Sequence, residues 1–214
     1  IKLRFGEMLD ENGEFTQKNI QIVKKKFTSP LQQVIYTCKE GLNAYKTRFA
    51  IFGFQYVLVE TDAEIIPEDY TAIAVYSSME RSGWVETSNE LLNKFVESTV
   101  WSTKNNHADL STDCPTRERH GWSGDAQIFC STASFFFSYA PMARKFENDL
   151  VDAMTKNGCF TQIAPYGGVD AYMNSMNGSA GWSDAGVLIP YDIYKQYRDT
   201  RILEENYPAM VRYA

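Results

Sequence analysis

The sequence predicts a mixed fold: a β-sandwich portion over residues 1–79, then a run of helices over residues 80–214. Three observations carry this expectation. Short β-branched and aromatic runs fill the front of the chain, Asn12-Gly13 is a hairpin signal, and the apolar spacing changes from alternation to helical periodicity near Thr87.

In the front part, Ile1, Leu3 and Phe5 alternate ahead of the Asn12-Gly13 turn. Leu31–Cys38 (LQQVIYTC) and Thr71–Tyr76 (TAIAVY) read as strands. The longest run, Lys46–Glu60 (KTRFAIFGFQYVLVE), changes phase at Gly53, which predicts a bulge in a strand buried on both sides.

Beyond Thr87 the pattern is helical. Thr87-x-x-Glu90 has the form of a capping box, and Leu91, Leu92, Phe95, Val96 and Val100 recur at helical spacing up to Asn105-Asn106. A second helix is expected from about Gly124, carrying Ile128, Phe129, Phe135 and Phe136, and Tyr139-Ala140-Pro141 ends it. Pro141 suits the first turn of a third helix with Met142, Phe146, Leu150 and Met154 on one face, stopping at Asn157-Gly158. After a loop rich in Gly, Asn and Ser, further helices are expected from about Asp184 to Tyr197 and from about Arg201.

Composition narrows the function. With 44% hydrophobic and 22% charged residues, the 214-residue chain can bury a sizeable core. A net charge of −6 with 21 Lys and Arg argues against nucleic acid, whose binding rests on phosphate neutralisation. Lys24–Lys26 read as a solvated strand edge. No apolar run approaches the about 18 residues needed to span a bilayer. Cys38, Cys114, Cys130 and Cys159 lack the spacing of a zinc site or disulfide framework; they are expected to be small buried thiols, and the compartment stays open. No metal or other cofactor is called for. The chain opens inside an apolar run and closes in a helical pattern without a capping Gly, which reads as a fragment.

The chemistry concentrates in Ser111–Asp125, STDCPTRERHGWSGD. Asp113, Glu118 and Asp125 lie here with Arg117, Arg119, His120 and Trp122, while Pro115, Gly121 and Gly124 deny part of the segment a regular helix. One reading is structural: the arginines pair with the carboxylates, and Trp122 belongs to the core. The other is glycosidic cleavage, which needs a protonated carboxyl to donate to the leaving oxygen and a carboxylate acting through water or as nucleophile. A Glu near a Trp and other carboxylates suits the donor, an exposed indole suits the apolar side of a sugar ring, and Asp125 at a helix N-terminus suits an ionised group.

Asp113-Cys114-Pro115-Thr116-Arg117-Glu118-Arg119 followed by Gly121-Trp122-Ser123-Gly124-Asp125-Ala126-Gln127 closely resembles the signature of the α-L-rhamnosidases of glycoside hydrolase family 78. Arg48–Glu60, Ser88–Ser102 and Gly178–Asp199 extend the resemblance over essentially the whole chain. It implies that residues 80–214 are the first part of an (α/α)6 barrel, which releases terminal L-rhamnose from glycosides or polysaccharides by an inverting, metal-free mechanism. By position, Glu118 matches the general acid. Asp113, Arg117, Trp122 and Asp125 match residues lining the rhamnose pocket, and Trp182 a further aromatic wall. Asp184 is a candidate both for the pocket and for a helix N-cap. His107 and His120 are assigned no chemistry.

One departure stands out. The family's general base is a Glu far downstream, and twelve helices of about 11–12 residues plus loops need roughly 200 residues, more than residues 80–214 supply. The chain is therefore expected to hold the acid and not the base. Its helices, including the side carrying Phe135–Phe137, would lack covering partners, which predicts self-association, a swapped arrangement or contact with the β part. A non-catalytic module that binds rhamnose-containing glycans and a different helical-barrel glycosidase are the competing readings.

Overall fold

The structure is a computed structural model that describes residues 1–25, 27–168 and 176–214. It divides into two compact units, one of residues 1–75 with 115–118, the other of residues 76–114 with 119–214.

The first unit is β-rich. Strands β1 (Lys2–Gly6), β6 (Gln33–Ile35) and β7 (Tyr56–Glu60) form an antiparallel sheet in the order β6-β1-β7. Leu3 faces Val34 and Val59 in the two ladders, and Glu60 pairs across the sheet with Arg4 at 3.0 Å and Lys2 at 3.3 Å. The hairpin expected at Asn12-Gly13 forms: β2 (Met8–Leu9) pairs with β3 (Phe15–Thr16). Asp10 Oδ1 accepts the N–H groups of Asn12 and Glu14, and Gly13 takes φ +81° in the turn. A second short pair joins β4 (Val23–Lys24) to β5 (Phe27–Thr28), with Lys24 and Lys25 exposed; Lys26 lies outside the described residues.

Two strand expectations need correction. Residues 71–76 form no strand, and of Lys46–Glu60 only Tyr56–Glu60 does. Nor is that strand buried on both sides, since Tyr56, Val57 and Glu60 are exposed. Gly53 is not a bulge. Its N–H donates to Pro115 O at 3.1 Å, and an added Cβ would stand 2.8 Å from that oxygen and 2.7 Å from Thr116 Cγ2. The glycine marks a close backbone approach.

The second unit is helical. Helix α1 (Glu90–Asn105) is capped by Asn89, whose side chain accepts from the N–H groups of Leu91 and Leu92. Thr87 is thus not the cap; it is bound instead to Asn93 through backbone and hydroxyl. A small hairpin, β8 (His107–Ala108) with β9 (Leu110–Ser111), follows, and Asp109 turns its tip at φ +77°. Then come α2 (Ser123–Phe136), α3 (Ala140–Asp152), α4 (Ala185–Tyr197) and α5 (Thr200–Tyr213). Pro141 sits in the first turn of α3 as expected, but α3 ends at Asp152, so Met154 lies past it.

Small residues decide how α2 packs. Ala126, Cys130 and Ala133 recur at i, i+4 and i+7 and face the core with Met142, Phe146 and Leu150 of α3, Ile189 and Ile193 of α4, and Ile202 and Ala209 of α5. The larger apolar side chains of α2 point away: Ile128 is 76% exposed and Phe135 66%. Phe137, expected on the open side, is buried, because the chain turns after α2 and its N–H and C=O are bound to Ala133 and Tyr197. On α1, Leu91, Leu92, Phe95 and Trp101 are exposed and Val100 is buried.

None of the four cysteines is in a disulfide among the described residues, but only Cys130 is buried, contrary to expectation; burial pushes its thiol up to about 12. Glu147 of α3 is fully buried, with neither carboxyl oxygen hydrogen-bonded among the described residues. Burial pushes this carboxyl well above the usual carboxylate range, the neutral form being the one an apolar core tolerates.

Candidate active site

In the helical unit, the residues following α1 converge with the start of α2 and the loop before α4. They line a cavity of about 480 Å³ that includes Asp113, Asp125, Gln127, Phe129, Trp182 and His107.

Asp113 follows directly on the β8–β9 hairpin. Its Oδ1 accepts the His120 N–H at 3.1 Å, and its own N–H donates to His120 O at 3.1 Å, so the loop closes on itself. His120 contributes backbone groups to this closure. Asp125 lies in the first turn of α2 and is exposed. Gln127 also lines the cavity, with its Oε1 turned into the protein and without a hydrogen-bond donor among the described residues.

Trp182 forms one wall through a close fit to Gly124. A Cβ added at Gly124 would stand 2.9 Å from Cδ1 and Nε1 of the indole, so the ring rests directly on the helix start. The loop that carries it is pinned at several points. Asp184 Oδ2 accepts the Gly181 N–H at 2.9 Å, its Oδ1 accepts the Tyr213 O–H at 2.8 Å, and the Ser123 hydroxyl lies 2.9 Å from Trp182 O. Asp184 occupies the N-cap position of α4, yet its side chain does not cap the helix. The Gly181 N–H and the Tyr213 hydroxyl hold its carboxyl below the usual carboxylate value.

Trp122 does not line this cavity. It precedes α2, is partly buried, and forms a backbone bridge with Ile163. Gly121 makes that bridge possible, because an added Cβ would collide with Ala164 O. Ser123 N–H continues the pairing to Gln162 O at 2.8 Å.

Arg117 and Glu118 belong to the first unit. Arg117 Nη2 pairs with Glu118 Oε1 at 3.2 Å, and the next residue, Arg119, takes φ +54°, an uncommon conformation for a side chain other than Gly or Asn. Thus Asp113, Asp125 and Trp182 share one cavity, while Arg117 and Glu118 share an ion pair in the other unit.

His107 lines the cavity as a buried hydrogen-bonding group, the bland role expected of it. Its Nδ1 lies 2.7 Å from Thr103 O, which can only accept, so Nδ1 carries the proton. Nε2 then accepts from the Tyr139 hydroxyl at 3.0 Å. Burial holds this imidazole below the usual histidine value, which keeps it neutral and able to play both roles. The sequence carried no signal of this, because Tyr139 is 32 residues away.

Comparison with known proteins decides the family. The family model of the bacterial α-L-rhamnosidase six-hairpin glycosidase domain matches residues 80–214, and that of the bacterial α-L-rhamnosidase concanavalin-like domain matches residues 1–76. The chain belongs to the bacterial α-L-rhamnosidase family. The α-L-rhamnosidase of Streptomyces avermitilis is 33% identical over 98% of the chain, and that of Formosa agariphila 32% over all of it. The crystal structure of the Streptomyces avermitilis α-L-rhamnosidase complexed with L-rhamnose superposes on 99% of the chain with a TM-score of 0.86 at 32% identity. The chain spans about a fifth of these relatives, 20% and 22% of their lengths. The expected succession of a β-sandwich portion and the first helices of a six-hairpin barrel stands.

Proposed function

We propose that the full-length protein carrying these residues removes terminal α-L-rhamnose from glycosides by an inverting general acid/general base mechanism. Glu118 is the general acid that protonates the leaving oxygen. Asp113, Arg117, Trp122, Asp125 and Trp182 hold the sugar, the carboxylates and guanidinium through its hydroxyls and the indoles through its apolar face. The base that activates water comes from outside these residues, and inversion places it about 6.5–9.5 Å from the acid. The observation that supports this reading best is the convergence of Asp113, Asp125 and Trp182 on one cavity. Two carboxyls and an indole suit a small polyhydroxylated ring with one apolar face.

The exposed apolar side chains of α1 and α2 mark the helical unit as one that seeks a partner, and self-association of the isolated chain belongs to this reading. The experiment that tests the function is hydrolysis of a panel of aryl glycosides by the full-length protein. Turnover is expected on the α-L-rhamnoside. Turnover confined to another sugar would show that the cavity serves a different glycosidase, and turnover on none would favour a binding module.

A further inference from the structure

The segment that carries Glu118 is fastened to the β-rich unit at two points. Gln32 Nε2 donates to Thr116 O at 2.6 Å, and Gly53 N–H donates to Pro115 O at 3.1 Å. Gln32 is itself fixed. Its backbone oxygen accepts from Phe5 N at 3.0 Å and from Gln17 Nε2 at 2.9 Å, and Gln17 Nε2 also donates to Phe5 O at 2.8 Å. Gln17, Gln32 and Thr116 are all buried. At Gly53 the fit leaves no room for a side chain. The run of bonds from Phe5 through Gln17 and Gln32 thus ends two residues before Glu118.

We infer that Gln32 and Gly53 are positioning residues for Glu118. This rests on the reading of Glu118 as the general acid. The Gln32 amide gives the buried Thr116 carbonyl a side-chain donor and so fixes the backbone two residues before Glu118. Proton donation is steeply sensitive to placement, whereas sugar binding is less so. Misplacement of Glu118 should therefore appear in kcat for substrates whose leaving group needs the proton.

The test uses the full-length protein with Gln32→Leu, which keeps the volume and removes the donor, and Gly53→Ala, which removes no side chain of the tether but presses on Pro115 O and Thr116. Each is assayed on a glycoside with a poor leaving group and on an aryl rhamnoside with an activated one, beside Glu118→Gln. We expect kcat on the poor leaving group to fall about 10- to 100-fold, with little change on the activated substrate and in KM. Equal losses on both substrates, or no loss with either variant, would overturn the inference while leaving Glu118 as the acid. Absence of any leaving-group dependence in Glu118→Gln itself would instead remove the reading on which the inference rests. Gly53→Ala decides the matter should Gln32→Leu fold poorly.

Discussion

Replacing Glu118 by Gln in the full-length protein is expected to cut turnover of natural rhamnosides by about 10²–10⁴-fold, the usual worth of general acid catalysis. Gln keeps the size and polarity of the side chain but has no proton to give. An aryl rhamnoside with an activated leaving group departs without that proton and should lose far less. The ion pair with Arg117 offers a structural alternative, since Gln would weaken it. An exposed pair of this kind is worth only about 0–1 kcal/mol, however, and its loss would affect both substrates alike. Steady-state kinetics on the two substrates separates these outcomes.

Gly124→Ala is expected to separate binding from stability. In the first turn of α2 a Cβ favours the helix by up to about 1 kcal/mol, so the change need not destabilise the fold. The same Cβ would stand 2.9 Å from the Trp182 ring, and the indole, being 41% exposed, has room to swing away. The cavity then loses its wall. An aromatic contact of about 1–1.5 kcal/mol corresponds to roughly a tenfold weaker affinity for L-rhamnose. Calorimetric titration of the full-length protein together with its thermal unfolding checks both arms. Unchanged affinity would remove Trp182 from the site, and a collapse of the fold would make Gly124 a packing residue alone.

Much of this fold was legible because local signals and tertiary packing agree. The Asn12-Gly13 turn, the Pro141 helix start and the i+4 face of Met142, Phe146 and Leu150 are decided by neighbours in sequence, and each formed. The misreadings share a cause. Gly53 looked like a bulge because the residue it makes room for, Thr116, is 63 positions away in the chain. The strand expected at Thr71–Tyr76 has apolar, β-branched residues but no partner among the described ones. Thr87 lost the cap to Asn89, which also carries a short side-chain acceptor and sits nearer the first helical turn. Among candidate site residues, Asp113, Asp125 and Trp182 could be found from the DCP and GW motifs, whereas the His107–Tyr139 bond depends on how α3 packs.

The stereochemistry of release tests the central claim most directly. Proton NMR of the rhamnose first formed by the full-length protein from an α-L-rhamnoside resolves its anomer before mutarotation. A general acid at Glu118 acting with a separate base and an intervening water predicts that the β-anomer appears first. First release of the α-anomer would contradict the account. It would require a nucleophilic carboxylate about 5–5.5 Å from the acid and a covalent intermediate, in place of a base that activates water.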